Sequence, residues 1–165
     1  MQFQIGPSQL RWQEDALVID IDEWSVPWPH RVRGQVRLQA NTWFSESMAL
    51  DAQGKHRWGP LAPSARVSVS LEQPSQHWQG QAYLDANEGD EPIEQACHEW
   101  DWSRALMADG STAVIYDIQG KTSNEDRLLA LRFMTDGSVQ PFVAPPRVNL
   151  PDRKSTRLNS SHSQQ

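Results

Sequence analysis

Val67, Val69 and Leu71 alternate with Ser68 and Ser70, so every second side chain in this stretch is apolar. A period of two belongs to a strand with one buried face; a helix repeats near 3.6. The same pattern returns along the chain. It runs through Ala16-Leu17-Val18-Ile19-Asp20-Ile21-Asp22 and Arg31-Val32-Arg33-Gly34-Gln35-Val36-Arg37-Leu38, where Gly34 marks a bulge or a close backbone approach. Further strands are expected over residues 65–71, 77–84, 112–118 and 127–133, the last two joined by a polar connection across 120–126. Turn residues punctuate the runs at Asp51-Ala52-Gln53-Gly54, Ala86-Asn87-Glu88-Gly89-Asp90, Asp109-Gly110 and Asp136-Gly137. Only residues 91–104 offer a helix, and they fit a loop followed by a strand equally well. Eleven prolines among 165 residues argue further against a helical bundle. The expectation is an all-β, antiparallel sandwich or barrel.

Composition narrows the function classes. The formal charge of −6 offers no basic face for phosphates, which speaks against a nucleic-acid partner. A single cysteine, Cys97, rules out an internal disulfide and suits a reducing compartment. No run approaches the roughly 18 apolar residues of a membrane span, and Met1-Gln2-Phe3-Gln4-Ile5 lacks the character of a signal peptide. Eight tryptophans against two tyrosines are an unusual indole excess, suited to a core or to a cavity with flat apolar walls. Residues 141–151 hold four prolines and read as a linker or extended edge. Residues 153–165 are polar apart from Leu158 and resemble a translated read-through peptide, so they are set aside as a non-native, disordered tail.

The common catalytic constellations are missing from the sequence. The histidines show no metal-ligand spacing, and Cys97 and His98, being adjacent, point to opposite faces of a strand. There is no Gly-x-Ser-x-Gly elbow and no glycine-rich phosphate loop. What remains are pairs two residues apart, which share one face of a strand: His56 with Trp58, Tyr83 with Asp85, and Trp100 with Trp102.

These residues sit in recognisable surroundings. The stretch Gly80-Gln81-Ala82-Tyr83-Leu84-Asp85-Ala86-Asn87-Glu88-Gly89-Asp90-Glu91-Pro92-Ile93-Glu94, followed by Trp100-Asp101-Trp102-Ser103-Arg104-Ala105, resembles the central signature of the carotenoid 1,2-hydratases. These are the hydroxyneurosporene synthases of bacterial carotenoid biosynthesis. The likeness extends through Gly6-Pro7-Ser8, Gly34-Gln35-Val36-Arg37-Leu38, His56-Arg57-Trp58-Gly59-Pro60, Leu129-Ala130-Leu131-Arg132-Phe133 and Pro145-Pro146-Arg147.

The resemblance implies a calycin-like, lipocalin-related β-barrel architecture, truncated at both ends in this chain. Residues 1–152 would be a central fragment, with a boundary between two β halves near 72–80. It implies a hydro-lyase that adds water across the terminal C1=C2 bond of an acyclic carotenoid such as neurosporene or lycopene, without a cofactor or metal. Its catalytic residues fall on His56, Trp58, Tyr83 and Asp85, and Trp100 and Trp102 would bind substrate. Asp85 must carry a proton to protonate the alkene, which apolar surroundings favour. Trp58 would stabilise the tertiary carbocation with its π face. His56 and Tyr83 would orient the attacking water or accept its proton. Asp101 is expected to pair with Arg104 or Arg132. A bilayer-dissolved substrate implies a cytoplasmic protein peripheral to the inner or photosynthetic membrane. Two other readings stay open: a non-catalytic isoprenoid or lipid binder, and a related hydratase or cyclase acting on another alkene.

Overall fold

The computed structural model describes residues 2–148. The tail at 153–165, and the end of the proline-rich segment, lie outside the described residues. Within them the chain is antiparallel β, as the alternation requires, in two open sheets. The first sheet begins with a hairpin of β1 (Gln2–Ile5) and β2 (Ser8–Gln13), turning at Gly6-Pro7. Then come β3 (Ala16–Trp24) and β4 (Arg31–Ala40), the short β5 (Met48–Ala49), and the long pair β6 (His56–Gln73) and β7 (Gln76–Gly89). The second sheet holds β8 (Cys97–Leu106), β9 (Thr112–Gly120), β10 (Arg127–Phe133) and β11 (Val139–Pro141) in the order β11-β10-β9-β8.

Several expectations meet the structure directly. The 127–133 run is β10, and the 112–118 run lies in β9, where Thr112, Val114, Tyr116 and Ile118 are buried. The 120–126 connection carries a 3₁₀ turn at Ser123–Glu125 with a Thr122/Glu125 capping box. Three readings change. Residues 86–89 continue β7 instead of turning, because the ladder with β6 runs on to His56↔Gly89. Residues 91–104 form one helical turn, α1 (Ile93–Ala96), and then β8, because from Cys97 onward the backbone pairs with β9. β1 and β2, which the alternation does not lead one to expect, are short and bury neither face.

β6 organises the first sheet. One edge pairs with β7 along most of its length; the other meets β5 at residues 57–58 and β4 at residues 65–73. Its ladder with β7 slips between Gly59 and Ala62 and again between Ala62 and Ala65. Pro60 and Pro63 fall in the two gaps. Proline has no N–H to give a ladder, so it is tolerated where a bulge leaves a residue unpaired. The carbonyls freed there find other donors: Phe44 N–H reaches Leu61 O at 2.9 Å, and Thr112 Oγ1 reaches Pro63 O at 2.8 Å. Bulges bend a strand, and β6 accordingly serves two cores. Ala62 and Ala65 join Leu17, Leu38 and Ala40 within the first sheet. Trp58 joins Leu50, Cys97, Val114, Tyr116, Ile118 and Phe133 between the sheets.

The sheets do not close into a barrel among the described residues. The outer edges of β7 and β8 share no ladder and meet through side chains. The suggested boundary at 72–80 contains the β6–β7 hairpin turn. At that end of the first sheet the β1–β2, β3–β4 and β6–β7 turns lie together. The loop after β3 presents Trp24, Val26 and Trp28, which are 63%, 91% and 75% exposed. Hydrogen bonds from Ser25 N to His30 O and from Ser25 Oγ to Trp28 O hold this loop in shape. No helix among the described residues is long and apolar enough to cross a membrane.

Gly34 occupies the β4–β6 irregularity with φ +153°, and a Cβ there would run into the Ser70 carbonyl and Leu71. Gly34→Ala should therefore lower stability by about 1–3 kcal/mol, read as a lower midpoint in urea unfolding. An unchanged midpoint would show that β4 and β6 can separate at this point without cost.

Candidate functional site

Antiparallel partners point to the same side of a sheet, and the β6–β7 register puts Trp58 opposite Asn87 and His56 opposite Gly89. Asp85 and Tyr83 follow on the same face of β7. Asp85 lies across from the first bulge, so the Trp58 indole crosses the ladder diagonally to reach it. Trp58 Nε1 donates to Asp85 Oδ2 at 2.9 Å, and the Tyr83 hydroxyl donates to the same oxygen at 3.1 Å. Asp85 Oδ1 has no hydrogen-bond partner among the described residues. No buried side-chain polar atom among them is left unpaired, so Oδ1 is open to solvent.

Aromatic groups enclose this carboxyl. Trp58 is 0% exposed, with the Tyr116 ring 5.6 Å and the Phe133 ring 6.0 Å from its own. It therefore meets Asp85 with its N–H edge, while the aromatic packing occupies its surroundings. Burial pushes the Tyr83 phenol well above its ordinary range, and the adjoining Asp85 charge adds to the effect, so Tyr83 remains a donor. Burial, then the charges of Asp85 and Cys97, raises Tyr116 as well. From β8, the Trp102 ring lies 5.4 Å from that of Tyr83, and the Arg104 guanidinium lies 5.1 Å over the Tyr83 ring. Trp102 and Trp100 are both exposed, as on an edge strand with one open face. Trp100 instead lines a separate cavity of about 20 Å³ with Leu50, Asp51, His56, Cys97 and Tyr116. That volume is roughly enough for one water.

His56 is placed beside Trp58 but outside the Asp85 network. Its Nδ1 lies 2.9 Å from Asp51 Oδ2 and its Nε2 lies 2.8 Å from the Glu91 carbonyl. The ring fits because Gly89 opposite has no side chain; a Cβ there would stand 3.1 Å from His56 Cδ2. Burial works against a charged imidazole, but the Asp51 and Glu91 contacts outweigh it and raise the His56 pKa. Burial likewise works against the Asp51 charge, and its hydrogen bonds to His56, Lys55 and Gln53 outweigh it, lowering the pKa. Orienting a water through the ring would need a free nitrogen, and both are engaged.

Sequence reasoning left Asp51 as a turn residue. The signal that marks it is an Asp that opens an Asp-x-x-Gly turn five residues before a histidine entering a strand. Tyr116 was placed in a strand but not in the site; only its position opposite Trp102 in the β8–β9 ladder brings it there. Asp101 pairs with Arg147 at 3.5 Å instead of Arg104 or Arg132, because Arg104 packs on Tyr83 and Arg132 binds Asp109 at 2.7 Å. Glu88 and Asp90 both face Arg57. Among the described residues, no group of three or more His, Cys, Asp or Glu side chains is arranged to hold a metal ion.

Fold and site together define an all-β protein with one carboxyl oxygen fixed by an indole and a phenol. The chain belongs to the carotenoid hydratase family: the family model described as Carotenoid hydratase CrtC matches residues 1–162. It is 52% identical over 150 residues to the acyclic carotenoid 1,2-hydratase of Rubrivivax gelatinosus, covering 91% of this chain and 37% of that protein. It is 44% identical over 167 residues to the enzyme of the same name from Thiocapsa roseopersicina, covering 98% and 41%. For the Rhodobacter capsulatus enzyme the identity is 36% over 145 residues, covering 87% and 50%. The chain thus spans half or less of the length of these relatives. No solved structure matches it.

If the indole N–H and its packing both matter, two substitutions should separate them. Trp58→Ala should cost about 3–5 kcal/mol through the cavity it leaves. Trp58→Phe should cost less, about 1–3 kcal/mol, while leaving Asp85 with Tyr83 as its one donor. Urea unfolding of both variants checks the order; equal losses would mean that the hydrogen bond carries the whole effect and the ring packing adds nothing.

Proposed function

We propose that this chain carries the reacting centre of an acyclic carotenoid 1,2-hydratase, a hydro-lyase that needs no cofactor. The observation carrying this reading is the asymmetry of Asp85. Oδ2 receives two hydrogen bonds and Oδ1 receives none, so Oδ1 is the oxygen suited to hold and deliver a proton. In the proposed reaction the Asp85 proton adds to C2 of the terminal double bond, the π pair forms the new C–H bond, and a tertiary cation is left at C1. Water adds to C1 and returns one proton to the Asp85 carboxylate, so the carboxyl group is regenerated. Tyr83 orients that carboxyl and the incoming water. Trp58 holds Asp85 from the buried side, and His56 anchors the start of β6, a role supported by its two engaged nitrogens.

Trp102, exposed beside Tyr83, offers a flat apolar surface to the polyene and π density to the cation, and Trp100, exposed on the same face of β8, extends the apolar surface for substrate. The unpaired edges of β7 and β8 fit a central piece of a larger calycin-like architecture, with residues 1–152 spanning parts of two β halves. The polyene is an acyclic one such as neurosporene or lycopene. Its solubility calls for a cytoplasmic protein peripheral to the inner or photosynthetic membrane, and the outward Trp24, Val26 and Trp28 suit an interfacial contact.

Expression of the chain in a lycopene-accumulating bacterium, with pigment mass analysis, tests the chemistry. A product heavier by one water is expected, reduced by about 10²- to 10⁴-fold in Asp85→Asn. Hydration undiminished in that variant would remove Asp85 as donor, and folded protein without product would favour a lipid binder or another alkene. Membrane contact is tested by co-sedimentation with phosphatidylcholine vesicles. Trp24→Ser/Trp28→Ser should bind about tenfold more weakly; equal binding would place the contact elsewhere.

A further inference from the structure

We infer that Asp51 is a positioning residue of this site, holding His56 as a buried imidazolium that clamps the foot of the β6–β7 pair. The hydrogen-bond inventory requires it. A backbone carbonyl only accepts, so the ring nitrogen facing Glu91 O carries hydrogen. Asp51 Oδ1 already accepts N–H groups from Gln53 at 2.8 Å and Lys55 at 3.1 Å. Oδ2 accepts the His56 backbone N–H at 2.6 Å. Three donors leave no natural place for an acid proton, so Asp51 is a carboxylate and Nδ1–H donates to it. The two side chains are only 6% and 9% exposed, which keeps this pair from exchanging partners with water.

The clamp joins three pieces of chain. Asp51 belongs to the turn after β5, His56 opens β6, and Glu91 follows β7. Backbone bonds from Leu50 N to His56 O and from Asp90 N to Lys55 O reinforce the same junction. Two residues beyond His56 on the same face stands Trp58, so the clamp fixes the strand end from which the indole reaches Asp85.

The charged and titratable groups around the ring are accounted for. Lys55 is paired with the Glu91 carboxylate at 2.6 Å, and Arg57 with Asp90 at 3.2 Å. Cys97 from β8, Tyr116 from β9 and Glu125 from the 3₁₀ turn line the adjoining cavity. None of them displaces Asp51 as the acceptor of Nδ1–H. The consequence for catalysis rests on the hydratase reading: a His56 already carrying both protons takes none from water, so Asp85 does so. The charge of His56 itself does not depend on that reading.

Long-range ¹H–¹⁵N spectra of the histidine rings in this chain test the inference, with His30, His77 and His98 as exposed references. At pH 7.5 the His56 signals should show both nitrogens protonated. Asp51→Asn should shift the His56 titration downward, and Asp51→Glu should restore it. Stability should follow the same linkage. The raised His56 pKa contributes stability that is complete below the ordinary histidine value and is lost as pH rises through the raised one. The lowered Asp51 pKa contributes stability that is present above the ordinary aspartate value and is lost as pH falls through the lowered one. Melting temperature should therefore form a plateau between these limits, with both limbs flattened in Asp51→Asn. A single-tautomer neutral His56 in the unaltered chain at pH 7.5 overturns the inference, whatever the pigment assay gives. An imidazolium without hydrated pigment supports it and counts against the function alone.

Discussion

A buried indole poses two problems at once: it must be packed on all sides, and its N–H must still find an acceptor. In this protein both are solved at Trp58, and the rest of the molecule is arranged around the solution. Packing comes from the second sheet, through Tyr116 and Phe133, which makes Trp58 the main apolar bridge between the sheets. The acceptor comes from the first sheet, as Asp85 on the neighbouring strand. A neutral acceptor would satisfy the indole equally well. Placing a carboxyl group there, with a phenol as second donor, goes beyond what stability asks and is the feature on which the proposed chemistry rests.

That placement depends on the shape of β6. A straight 18-residue strand would keep all its inward side chains over one sheet. Pro60 and Pro63 interrupt the ladder twice within a few residues, so the first third of the strand turns its buried face toward the second sheet. The bulged carbonyls are taken up by Phe44 and Thr112, one from each side of the molecule. Bend and cross-link thus have the same origin. Asp85 lies directly across from the first bulge, where a strand partner is missing.

How much of this was legible in the sequence differs from one feature to the next. The alternation at 112–118 and 127–133 was enough to place β9 and β10, because one face of each is buried and the other is not. Residue spacing put Tyr83 and Asp85 on one face, and the structure adds that Trp58 belongs with them. The relation of Trp58 to Asp85 depends on the bulged register of β6 against β7 between residues 27 apart, which no local pattern encodes. Asp51 was hidden for another reason: an Asp in a turn bonds its own backbone in most proteins, and here it does that and also takes the histidine. β1 and β2 are less legible because they are only four and six residues long and neither buries a face.

The two carboxyl groups near Trp58 show how surroundings sort similar residues into different work. Asp51 accepts three backbone N–H groups and a ring N–H, so every favourable direction around it is filled. Moving a proton there would break several bonds together in a nearly dry environment, which makes the group an effective clamp and a poor acid. Asp85 is bound on one oxygen and free on the other, with both of its donors held by aromatic packing. Its geometry can stay fixed while a proton comes and goes at Oδ1. The proposed protonation of an alkene calls for that combination of a fixed position and a free oxygen, and of the two carboxyls Asp85 alone has it.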